Sequence, residues 1–139
     1  MAQWGDKSQK ELDTVHPDIR RVFDRALSFG LIDISIVEGR RSKLKQNEYF
    51  YAKKSKVMWP KGKHNVQNPE DLANAVDAAP FINGQISWRK EHCIYLAGIV
   101  LASAKIEGVN IRWGGNWDQD GEPITDQDFQ DLVHFERVS

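Results

Sequence analysis

The residues of this 139-residue chain best suited to chemistry are its four histidines, His16, His64, His92 and His134, and one oddly placed aspartate, Asp77. His16 precedes Pro17 at a helix start and His92 falls inside a long helical pattern, so both read as structural or solvent-facing. His64 lies in a polar loop and His134 in the last strand-like run. Asp77 stands among Ala75, Val76, Ala78, Ala79 and Phe81, and a carboxylate on an apolar strand is costly to bury unless its charge is compensated. Zinc would compensate it, and two histidines with one carboxylate leave a fourth position open for water, as at catalytic zinc sites. The competing reading is an aspartate that accepts hydrogen bonds from the backbone amides of a nearby loop. Residue types alone leave both readings open.

Several elements must position these groups. Ser8 followed by Glu11 is a capping-box pattern that predicts the start of a short helix. Pro17 suits the first turn of a second helix, in which Ile19, Val22, Phe23, Ala26 and Leu27 recur at helical spacing and Gly30 supplies a left-handed end. Ile34 and Ile36 mark a strand that enters a Gly39-Arg40-Arg41-Ser42 turn, and residues 43–54 read as helical. Residues 55–74 are polar and broken by Pro60, Gly62 and Pro69, which predicts a long loop. Residues 75–81 read as a short buried strand, followed by an Asn83-Gly84 turn. Ser87 is expected to cap a helix that runs to about Lys105 and closes at Gly108, with Trp88, Cys93, Ile94, Tyr95 and Leu101 as core packing. Residues 109–113 and 132–138 read as strands. The order predicts an α+β single domain over residues 1–139, with a small, mostly antiparallel sheet flanked by helices, and a zinc site, if Asp77 and the histidines form one, would sit on the sheet.

Composition narrows the classes. Hydrophobic residues make up 40% of the chain and aromatic residues 10%, against disorder. A single cysteine, Cys93, excludes an intrachain disulfide framework and a multi-cysteine zinc cluster. The longest uncharged apolar run, residues 94–104, is too short to span a bilayer, and the N-terminus lacks a signal-peptide pattern, so synthesis in a cytoplasm is expected. The net charge of −1 conceals a split: residues 1–69 hold 14 Lys/Arg against 8 Asp/Glu, and residues 70–139 hold 5 against 12. The basic half suits an anionic partner and the acidic half suits cations, with no nucleic-acid partner expected. Asn116-x-Asp118-x-Asp120-Gly121 matches the first half of a calcium-binding loop, although Gln127 stands where the bidentate Glu would be. Calcium ordering of residues 116–131 and a solvated acidic loop are the two readings of that segment.

Short words around the candidate groups occur in a fixed order: Gly39-x-Arg41-Ser42, Gln46, Lys63-His64-Asn65, Ala75-Val76-Asp77, Trp113-Gly114-Gly115-x-Trp117 and Asp131-x-x-His134-Phe135-Glu136. Together they resemble the zinc peptidases of the D-alanyl-D-alanine carboxypeptidase type. The likeness is greatest to their L-alanoyl-D-glutamate endopeptidase branch, which includes bacteriophage endolysins, and it runs from about Leu12 to Val138. The resemblance implies zinc bound by His64, Asp77 and His134, with Asp131 as catalytic base and Arg41 polarising the substrate carbonyl and stabilising the intermediate. Glu136, two residues beyond His134 and so on the same strand face, is expected to orient that histidine and is the reserve base. Gln46 and Trp117 are expected either behind the ligands or along the substrate cleft, with Trp117 also shaping its loop, and Trp113 in the core.

The sequence departs from the family pattern at two places. Gly62 stands where the family has serine two residues before the first histidine, and the gap from His64 to Asp77 is longer than usual. The function implied is a zinc endopeptidase that hydrolyses the L-alanyl–D-glutamate bond of peptidoglycan stem peptides and lyses the host cell. The rivals are a D-Ala-D-Ala carboxypeptidase or dipeptidase of the same superfamily, and a non-catalytic zinc-stabilised wall-binding module. The peptidase domain is expected to fill the chain, leaving no separate wall-binding module, and to act as a monomer. Synthesis in the host cytoplasm and action in the periplasm after pore formation follow from the same resemblance. Lys53, Lys54, Lys56, Lys61 and Lys63 read as a solvated face or as attraction to the anionic cell wall.

Overall fold

The apolar spacing of residues 17–28 produces α2 (Pro17–Ser28), whose Ile19, Val22, Phe23, Ala26 and Leu27 are all buried. Its start is fixed by Pro17 and by His16, whose Nδ1 accepts the Asp18 N–H at 3.0 Å, so His16 serves as a cap. The computed structural model describes residues 3–53, 62–66, 71–122 and 131–138. Lys54, Lys56, Lys61 and Gln127 lie outside the described residues.

The remaining elements are α1 (Asp6–Leu12), β1 (Asp33–Glu38), α3 (Lys43–Tyr51), β2 (Ala75–Ile82), β3 (Gln85–Ile86), α4 (Lys90–Glu107), β4 (Ile111–Gly114) and β5 (Asp131–Arg137). The sheet runs β1-β2-β5-β4, with every neighbouring pair antiparallel, and β3 hairpins onto β2 through Asn83 and Gly84. Both turn residues have positive φ, 53° and 81°, the conformation that Asn-Gly adopts most readily. The expected α+β architecture is therefore observed, with the two-residue β3 added.

Strand alternation divides the sheet into two faces. Val76, Ala78, Ile111, Trp113 and Phe135 face α2 and α4 and join the core, where the Phe23 and Phe135 rings meet edge to face at 5.5 Å. The other face carries Asp77 opposite His134, and Glu136 between Ala75 and Arg112, which gathers polar residues of β2, β5 and β4 in one place.

The capping box is not what Ser8 and Glu11 form. Helix α1 begins at Asp6 after Gly5, and the Ser8 hydroxyl accepts the Ile36 N–H at 2.9 Å while Glu11 accepts the Gly39 N–H at 2.8 Å. Lys7 donates to the Val37 carbonyl at 2.8 Å. Strand β1 is an edge strand, so its outward backbone groups need partners, and three side chains of α1 supply them. Helix α4 also starts later than expected, at Lys90, and Ser87 hydrogen-bonds His92 Nδ1 at 2.6 Å in place of capping it. Its buried stripe is Cys93, Leu96, Ala97, Val100 and Ala104. Trp88 precedes the helix and Tyr95 lies off that stripe, so at 60% and 53% exposed they are surface residues and not core.

Candidate metal centre

Register brings the first two ligand candidates together: Asp77 on β2 pairs directly with His134 on β5. His64 reaches the same point from the segment 62–66, which is fastened by the Arg41 N–H donating to the His64 carbonyl at 2.9 Å. His64 Nε2 lies 3.2 Å from His134 Nδ1 and 3.2 Å from Asp77 Oδ1, and His134 Nδ1 lies 3.4 Å from the same oxygen. Among the described residues, these three are the one group of His, Cys, Asp or Glu whose donor atoms are close enough to share an ion.

The outer atoms of each residue decide what the inner ones can do. His64 Nδ1 lies 2.6 Å from the Gly39 carbonyl, which can only accept, so Nδ1 carries the proton and Nε2 is a lone pair. His134 Nε2 lies 2.8 Å from Glu136 Oε1, and the second oxygen of Glu136 accepts from Arg112 Nη2 at 2.6 Å. That carboxylate is ionised, so His134 donates through Nε2 and its ring, when neutral, turns the lone pair of Nδ1 inward. Asp77 Oδ2 accepts from Arg41 Nη2 at 3.2 Å, while Oδ1 is buried with no hydrogen bond among the described residues. With both rings neutral, three acceptors face one another, an arrangement relieved by a proton on His134 in the metal-free protein and by a metal ion in its place. Two imidazole nitrogens and one carboxylate oxygen are a donor set that zinc takes, and each is held from behind as metal-binding side chains are.

Electrostatics follow the same geometry. Burial pushes the Asp77 carboxyl up, but the facing histidines outweigh it and hold the group well below the usual carboxylate range. Burial pushes His134 down, and its bonds to Asp77 and Glu136 reverse this, so that its pKa is pushed up to about 9 in the metal-free protein. Glu136 is held down against its burial by His134 and Arg112. Asp131 moves the other way: burial, then the negative charge of Asp77, raises it despite His134, His64 and Arg41 nearby. It opens β5 against Gly114, where a Cβ would overlap the Asp131 carbonyl, so glycine is required for the strand to close at this point.

Arg41 is 7% exposed and gripped on three edges. Its Nε donates to Glu38 at 2.6 Å, Nη1 to Gln46 at 2.9 Å and Nη2 to Asp77, and the Tyr49 ring lies 4.6 Å from its guanidinium carbon. Gln46 is fully buried behind Arg41 and also accepts from Asn65 at 3.3 Å, so it supports the site from within and does not line an open cleft. A side chain at Gly62 would put its Cβ 2.7 Å from Asn65 Oδ1 and 2.9 Å from Gln46 Oε1. Glycine at that position is matched to the inward Gln46 and Asn65. Trp117 packs against the site, with its ring 5.6 Å from that of His134 and 5.9 Å from the Arg112 guanidinium carbon. Trp113 is buried in the core, its indole donating to the Leu132 carbonyl at 2.9 Å.

Glu38 and Arg112 are functional-site residues that the sequence reading missed. Arg112 had a signal, since it alternates with the core residues Ile111 and Trp113 on a strand. Glu38 had none, because a register shift between Ile36 and Glu38 sets it opposite Asp77. The loop of Asn116, Asp118 and Asp120 is closed by its own bonds. Asp118 accepts the Asp120 N–H at 3.3 Å and Asp120 accepts the Glu122 N–H at 2.8 Å. With its nitrogen facing the acids, the Asn116 amide donates to Asp118 at 2.9 Å and to Asp120 at 3.2 Å.

Fold and cluster together have the form of a small α+β metallopeptidase domain. Residues 1–138 match the family model described as phage L-alanyl-D-glutamate peptidase, and the chain belongs to that family. It is 30% identical over 122 residues to the L-alanyl-D-glutamate peptidase of Escherichia phage T5, covering 86% of this chain and 85% of that protein. The solved structure of the Serratia marcescens L-Ala D-Glu endopeptidase ChiX superposes with a TM-score of 0.74 at 27% identity, over 99% of this chain and 90% of that one. The protein is a peptidase of this endolysin branch, as the order of its sequence words implied.

Proposed function

We propose that the protein is an endolysin that hydrolyses the L-alanyl–D-glutamate bond of peptidoglycan stem peptides, using a zinc ion held by His64, Asp77 and His134. The observation that carries the metal assignment is the convergence of three lone pairs whose outer partners are already fixed, with Asp77 Oδ1 otherwise orphaned. When bound, zinc polarises the scissile carbonyl and lowers the pKa of an attacking water to about 7. Asp131, its carboxyl raised by burial and by Asp77, takes the proton of that water and returns it to the leaving amine. Arg41 supplies a fixed positive charge beside the developing oxyanion. Glu136 and Arg112 hold His134 in the orientation that presents Nδ1.

The reading extends to a monomer whose single catalytic domain spans residues 1–139, made in the host cytoplasm and acting on periplasmic peptidoglycan. Among the described residues, no helix is long and apolar enough to cross a membrane. Digestion of purified peptidoglycan is expected to release soluble peptides with new N-termini on D-glutamate, read by mass spectrometry. Release of free D-alanine would instead identify the carboxypeptidase rival. At Asn116, Asp118 and Asp120 the oxygen-bearing side chains at alternate positions resemble a calcium loop, but the Asn116 amide nitrogen faces both carboxylates, which favours a solvated acidic loop over a calcium site. Calorimetry is expected to register no calcium binding at millimolar concentration, and a binding heat there would overturn this reading.

A further inference from the structure

Asp77 has two oxygens, and the structure spends them differently. Oδ1 faces the two histidine nitrogens, while Oδ2 accepts from Arg41 Nη2. A guanidinium is a rigid planar fork, so fixing two of its edges fixes the direction of the third. Glu38 takes Nε at 2.6 Å and Gln46 takes Nη1 at 2.9 Å, which leaves Nη2 aimed at Asp77. Tyr49 lies against the guanidinium. Glu38 is itself buried, placed opposite Asp77 by the register shift in β1, and its second oxygen is held by Lys45 Nζ at 2.9 Å. A buried carboxylate is tolerated when its charge is paired and its oxygens are bonded, and here both oxygens are bonded to cations.

We propose that Glu38 is a positioning residue which locks Arg41 onto Asp77 Oδ2, so that Asp77 offers the metal one oxygen and not two. The inference rests on the metal reading of the His64, Asp77 and His134 cluster. It assigns Glu38 a role although Glu38 touches neither ligand nor substrate, and it gives Arg41 a second task besides its charge. Lysine could keep the charge of Arg41 but not the three-way grip, because an ammonium is a point donor on a flexible stem.

The cobalt-loaded full chain tests this through its visible d–d absorption, which weakens per bound ion when a carboxylate adds a second oxygen. Glu38→Gln and Arg41→Lys are expected to lower that intensity and to weaken cobalt binding about 10–100-fold in competition with a chromophoric chelator. Lys45→Met, which removes the exposed partner of Glu38, is expected to keep the wild-type spectrum. A wild-type spectrum per bound cobalt in both Glu38→Gln and Arg41→Lys would overturn the proposal, even if both lowered Tm. If either variant fails to fold, the other decides. Failure of the unaltered protein to take up cobalt or zinc at all would overturn the metal reading itself, a different result from unchanged variant spectra.

Discussion

Asp131→Asn is expected to lower kcat roughly 10²- to 10⁴-fold while the protein keeps its full equivalent of zinc. The separation of the two effects follows from position. Asp131 is outside the converging donor set, which consists of His64, Asp77 and His134, but it is close enough to be raised by the charge of Asp77. A carboxylate whose proton affinity is raised by burial is the better acceptor for a water proton, and asparagine keeps its shape while removing that capacity. Glu136 is poorly placed for the same work. Its two oxygens are engaged by His134 at 2.8 Å and Arg112 at 2.6 Å, and both partners hold its pKa down. Glu136→Gln should therefore weaken zinc retention more than it slows the loaded enzyme. Turnover of a soluble stem peptide together with zinc content by atomic absorption checks both variants. Near-normal turnover by Asp131→Asn would move the base elsewhere.

The site was more legible in the sequence than the packing around it. Its residues sit in short words, and strand alternation needs no tertiary knowledge to put His134 and Glu136 on one face. Helix α2 was equally readable, because its apolar residues are confined to one stripe. Helix α4 is apolar around much of its circumference, so its pattern did not say which apolar residues face the sheet, and Trp88 and Tyr95 were assigned to the core. Ser8 and Glu11 failed for another reason. A serine and a glutamate three apart can cap their own helix or bond a distant backbone, and only the exposed edge of β1 decides between them. Glu38 was hidden by the register shift, since irregular pairing is not encoded in side-chain period. Glu38 and Arg112 lie outside the short words and owe their place in the site to partners on other elements, Arg41 and Glu136, whereas the recognised residues are carried by the words themselves.

Removing the metal is expected to have the broadest effect. EDTA should abolish hydrolysis and zinc should restore it, whereas His134→Ala should fail to recover with added zinc. In the metal-free protein the buried Asp77 Oδ1 has only the two facing histidine nitrogens, at 3.2 and 3.4 Å, and a bound ion binds the folded state alone, so loading also stabilises the fold. Metal at about 1,000 times its Kd contributes about 4 kcal/mol, which for a domain of this size corresponds to a Tm lowered by roughly 10–20 °C on chelation. His134→Ala should show the lower Tm with or without EDTA. Uptake should also depend on pH, in a direction set by His134. Its lone pair binds metal only when unprotonated, and in the metal-free protein its pKa is pushed up to about 9. Below that value each bound ion must displace a proton, so apparent affinity should fall about tenfold per pH unit of acidification and level off near pH 9. Zinc titrations in buffers of different ionisation enthalpy count the displaced protons. A pH-independent affinity between pH 6 and 9 would mean that the ion does not replace the His134 proton, and with it the arrangement of lone pairs argued for this site would fail.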